Sequence, residues 1–135
     1  MKLKALFIVT SVIAIVFGVL FVIIAGPMYS LYGIESNMML NYMGELFGAA
    51  LIAIGLISWF ARNAADSEAR RAIILSFFIA DAIGFIIALI GQLNNVVNAL
   101  GWLTVVIYFL LCLGFAVFQF SKPVSGDNPG GSTQE

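Results

Sequence analysis

Glu45 and Asp81 are the residues of this chain best placed to do chemistry. Each stands inside an apolar run, and each is followed by two glycines at matching distances. Gly48 and Gly55 follow Glu45; Gly84 and Gly91 follow Asp81. An ionisable side chain at membrane depth is costly, which makes it a binding or proton-handling candidate by default. Carboxyls so placed can hold a cation, relay protons or anchor a ligand. No Lys or Arg lies inside an apolar run to pair with either acid. Tyr108, in the last run, is the favoured donor to one of them. Asp81, Glu45 and Tyr108 are therefore the candidate ligand- or proton-binding residues.

Other chemistry has little material. The chain contains no His, so Ser–His and Cys–His pairs and His-held metals are excluded. Cys112 is the only cysteine and lies in an apolar run. No enzyme, metal or cofactor is expected. The charge balance of −1 and the lack of a basic patch speak against nucleic acid as a partner.

The elements that must position the acids are membrane spans. Hydrophobic residues make up 62% of the 135 residues and charged residues 10%. A soluble domain carries about 45–50% and about 25% respectively. A span needs about 20 mostly apolar residues. Four such runs are present, from about Ala5 to Ala25, from Met38 or Tyr42 to Ala61, from Ala72 to Gly91 and from Ala99 to Phe120. Pro27 is expected to end the first. That run is longer than a signal-peptide core and has no A-x-A site before Gly26, so it reads as a retained span. The expected fold is all-α, a polytopic antiparallel bundle of four transmembrane helices over residues 1–121. The polar tail, 122–135, has almost nothing to bury and is expected to be disordered.

All six basic residues fall on one side of these spans: Lys2, Lys4, Arg62, Arg70, Arg71 and Lys122. The connections 26–37 and 92–98 carry none. The positive-inside rule then places both termini in the cytoplasm of a cell inner-membrane protein. Asp66 is a candidate cap for the third helix. Met28, Leu31, Tyr32 and Ile34 suggest a short interfacial segment on the opposite side.

On a helix, residues i, i+3 and i+10 fall within one arc. Glu45 therefore shares a face with Gly48 and Gly55, and Asp81 with Gly84 and Gly91. Small residues let membrane helices approach closely, so Gly48, Gly55, Gly84 and Gly91 are candidate helix-packing positions. Counting about 1.5 Å per residue from Arg71 places Asp81 about 15 Å deep, and counting from Arg62 places Glu45 about 25 Å away. The two carboxyls are thus offset by roughly 10 Å, whereas Gly48 and Gly84 lie at about 21 and 20 Å. This predicts that spans two and three cross near those glycines.

Gly26-Pro27, the run Glu45-Leu46-Phe47-Gly48-Ala49-Ala50 and the short Arg-bearing loop together resemble the small four-helix bacterial proteins grouped as DoxX-like, with their uncharacterised relatives. The resemblance implies a four-helix bundle and no defined activity. The residues themselves support two functions. The first is a non-enzymatic accessory bundle in the lipid bilayer, homo-oligomeric or part of a larger membrane complex. The alternative is a proton- or cation-coupled small transporter or apolar-ligand binder using Asp81 and Glu45. A pocket reaching Asp81 favours the second, and dry packing around it favours the first.

Overall fold

The computed structural model describes residues 2–121, so the expectation for the tail falls outside the described residues. The chain is all-α, with α1 at Leu3–Leu31, α2 at Met38–Ala61, α3 at Glu68–Leu93 and α4 at Gly101–Phe120. Each helix is long and apolar enough to cross a membrane. They pack as two antiparallel pairs, α1 with α2 and α3 with α4, with thin contact between α1 and α4. Lys2, Lys4, Arg62, Arg70 and Arg71 therefore share one end of the bundle, called here the basic end.

Pro27 does not end the first helix. α1 runs on to Leu31, with a break at Ile24 where the backbone leaves helical geometry (φ −134°, ψ 52°). A proline inside a helix has no N–H to donate, and its ring collides with the carbonyl four residues back. The chain takes up that conflict as a kink one residue past Ile23 and then resumes the helix. Met28 consequently lies buried with Phe21 and Ala25 rather than in an interfacial segment.

Spans two and three do not cross at Gly48 and Gly84. Gly48 lies against Gly18 of α1, and Gly84 against the ring of Tyr108 on α4. A Cβ on Gly48 would come 2.6 Å from the Gly18 carbonyl oxygen, and one on Gly18 would come 2.8 Å from the Gly48 carbonyl oxygen. Backbone thus meets backbone. Gly44 against Tyr29 and Ala25, and Gly55 against Ile15 and Ser11, extend the same seam. In lipid, packing rather than apolar burial drives helix association. Span one therefore supplies the partner for the α2 glycines, and Gly18 is its key residue.

The two pairs are joined at their ends. At the basic end Phe7 of α1, Phe77 of α3 and Phe115 of α4 form a ring cluster, with centroids 5.2 to 6.3 Å apart. Leu6, Ala61, Ile74 and Leu111 pack with it, so all four helices contribute. Phe7 and Phe115 are wholly buried. Nearby, Ser67 rather than Asp66 caps α3, its hydroxyl accepting from the Arg70 N–H at 3.2 Å. Asp66 instead faces Arg70 and Arg71, each at 3.4 Å. Serine's short side chain suits the cap, while the adjacent acid is left free to meet the two arginines.

At the opposite end the join is polar. α1 closes in a Schellman turn, with Gly33 at φ 76° and the Ile34 N–H donating to the Tyr29 carbonyl. That positive φ is where glycine serves. α3 closes in the same way with Asn95 at φ 56° and the Val96 N–H donating to Gly91. Asn98 then ties the two turns together. Its backbone N–H donates to the Tyr32 carbonyl and its side-chain amide to the Leu31 carbonyl, both at 2.9 Å. Those carbonyls belong to the unsatisfied end of α1. Its side-chain oxygen accepts from the Leu100 N–H, and its backbone carbonyl from the Gln92 amide. The Tyr32 and Thr104 hydroxyls meet at 3.0 Å beside it.

Candidate functional site: a cavity at Asp81

Between these two joins the pairs stand apart. They enclose a cavity of about 450 Å³ whose wall draws on all four helices. Its lining is mostly aliphatic and aromatic, with Phe17 and Phe21 from α1, Leu51 and Ile54 from α2, and Ile107 and Leu111 from α4. Binding pockets for small molecules commonly measure about 300–1,000 Å³ and combine an apolar lining with a few polar groups. Here the polar groups are Asp81, Tyr108, Thr104, Thr10, Tyr29 and Tyr32, and no Lys or Arg borders the space.

Asp81 is held on this wall by α3 near the helix middle. Its Oδ2 is buried and has no hydrogen-bond partner among the described residues. Thr10 Oγ1, across the cavity on α1, is buried and equally unpartnered. Of the buried side-chain polar atoms left without a partner among the described residues, these are the two that border the cavity, and such atoms call for a partner. The terminal torsion of an Asp side chain is soft, so either carboxyl oxygen can turn toward a guest.

Tyr108 sits beside Asp81 without bonding to it. Its ring lies on the backbone of Gly84, where any larger residue would collide with it. Gly84 thus seats the ring one helical turn from Asp81 and leaves the phenol on the cavity wall. The expected Tyr108–Asp81 hydrogen bond is not formed. Gly91 also borders the cavity, and a Cβ there would meet nothing within 4 Å.

Glu45 is placed elsewhere. Its side chain is exposed on α2, at the edge of the buried Gly44–Gly48–Gly55 seam, and it does not border the cavity. The structure therefore brings Asp81 and Tyr108 to one site and leaves Glu45 outside it. Sequence reasoning passed over Thr10 and Thr104. Thr10 could have been noticed as the hydroxyl that precedes Ser11 in an otherwise apolar first span.

The wall is not continuous. α2 and α3, which both line it, form no packed pair. Phe47 of α2 and Ile87 of α3 border it while 45% and 66% exposed. The described residues contain no group of three or more His, Cys, Asp or Glu side chains able to hold a metal. Compared with protein-family models, curated proteins and solved structures, the chain matches none.

Proposed function

We propose that this four-helix membrane protein binds an apolar ligand in the cavity between its helix pairs, without catalysis, and that Asp81 is the polar anchor. The observation that carries this reading is a carboxyl oxygen with no partner on the wall of an otherwise apolar cavity. A membrane bundle whose acid served only as interhelical glue would satisfy that oxygen within the protein. Coupled transport finds less support, because the second acid, Glu45, does not border the cavity. The oligomeric or accessory reading draws on the exposed apolar faces, which lipid covers equally well. The DoxX-like resemblance supplies the four-helix plan and no activity, so it leaves the choice to the cavity.

Gly91→Leu tests the reading. The new side chain starts in open space, and leaving glycine favours the helix by under about 1 kcal/mol. The variant should fold as well as the wild type and lose most binding of an apolar fluorophore in phosphatidylcholine nanodiscs. Undiminished fluorophore binding by a folded Gly91→Leu protein would contradict it.

The basic end is the cytoplasmic end in this reading, by the positive-inside rule. A cysteine placed at Asn37 should be labelled by an impermeant maleimide from outside intact cells, and one placed at Asp66 should not. The reverse pattern would invert the topology.

A further inference from the structure

The cavity's shape and chemistry limit what can occupy it. Three observations bear on the guest, and all rest on the binding reading above. First, the gap lies between helices that hydrocarbon surrounds. The exposed wall residues Phe47 and Ile87 stand on α2 and α3, which do not pack on each other. Meanwhile the two pairs are joined at their ends by the phenylalanine cluster and by Asn98. A guest therefore passes sideways from the lipid, which selects molecules already dissolved there.

Second, the volume is small. A space of about 450 Å³ lies toward the lower end of the roughly 300–1,000 Å³ typical of small-molecule pockets. That suits one alkyl chain or a compact ring system better than a two-chain phospholipid.

Third, the polar lining is one-sided in charge. It offers a carboxyl and hydroxyls but no cation. A carboxylate or phosphate brought there would be desolvated beside an acid with nothing to pair it. A hydroxyl or ammonium group would instead give the unpartnered Asp81 oxygen a donor. Bringing an apolar guest without a donor leaves that oxygen unsatisfied, which costs binding free energy.

We infer that the natural guest is a bilayer-dissolved, single-chain or compact apolar molecule whose one polar group, a hydroxyl or an amine, donates a hydrogen bond to Asp81. The route between α2 and α3 and the acid at mid-helix together fix its direction, with the polar head innermost and the tail toward the gap.

The test is a competition series on the full-length protein in phosphatidylcholine nanodiscs, read by displacement of a photoreactive alkyl probe. Dodecanol, dodecylamine and dodecanoate differ only in the head. Dodecanol and dodecylamine should compete at least about tenfold more strongly than dodecanoate, a free-energy difference of about 1.4 kcal/mol. Asp81→Leu should abolish that preference while still binding the photoreactive probe. Asp81→Asn, which keeps the shape and an acceptor oxygen, should retain dodecanol and weaken dodecylamine, and this arm separates a hydroxyl from an ammonium head. Equal competition by all three heads, or a preference for dodecanoate, would overturn the inference and leave the apolar-binding reading standing. Failure of the wild type to bind the photoreactive probe at all would overturn both.

Discussion

Gly48→Leu should abolish the stable α1–α2 pair, lowering unfolding stability by about 3 kcal/mol or more. Overfilling a packed site usually costs about 1–3 kcal/mol because neighbouring side chains move aside. Here the neighbour cannot do so. A Cβ at Gly48 would lie 2.6 Å from the Gly18 carbonyl oxygen and 2.9 Å from the Val22 amide nitrogen. Both atoms belong to the α1 backbone, so the helices must part. Once parted, lipid offers them no hydrophobic drive to return, because the tails are as apolar as the seam. Gly18→Leu should behave the same way for the same reason. Denaturant unfolding in micelles checks it, with Gly91→Ala as the matched control that should lose nothing. A Gly48→Leu protein of wild-type stability would show that the seam does not hold the pair.

Phe115→Ala should cost about 3 kcal/mol, the lower end of the range for emptying a buried aromatic site. The ring is wholly buried and lies 5.8 Å from Phe7 and 5.2 Å from Phe77, centroid to centroid. It thus touches rings from both helix pairs. Its loss removes dispersion contacts that lipid cannot restore at that depth in the bundle, and it weakens the join between the pairs at the basic end. Phe77 both belongs to this cluster and borders the cavity, so the loosening is felt at the site. A double-mutant cycle between Phe7 and Phe115 should return a coupling of about 0.5–1.5 kcal/mol. Additive losses would mean that the rings act separately and that the cluster does not clasp the pairs.

The four spans were legible because runs of about twenty mostly apolar residues admit few other structures, and the flanking charges mark their ends. Partner choice was not legible. In a soluble helix the apolar stripe reveals the packed face, but here nearly every face is apolar, since lipid and helix are alike in hydropathy. The glycines marked close approach on α2, yet nothing in them said whether α1 or α3 would answer. The answering residue, Gly18, stands in a row of small residues at helical spacing, Ser11, Ala14, Gly18 and Ala25, all buried, but that row holds a single glycine and was overshadowed by the glycines of the second and third spans. Pro27 was visible as a helix disturber, but a kink and an ending look the same in a sequence. Asn98 was beyond reach because its amide acts on Leu31, far away along the chain. Asp81 was legible because a charge at membrane depth demands a reason. The cavity around it was not, since its volume is set by two joins that hold the pairs apart, and neither join is local.

The central claim is that lipid-dissolved molecules occupy the space beside Asp81. Photolabelling with an alkyl diazirine in phosphatidylcholine nanodiscs, followed by peptide mapping, tests it most directly. The modified residues should concentrate on the cavity wall, at Asp81 and Ala88 of α3 and at Thr104 and Tyr108 of α4, and Gly91→Leu should remove that labelling. Modification confined to outward residues such as Ile57 and Val117, unchanged by Gly91→Leu, would contradict the account.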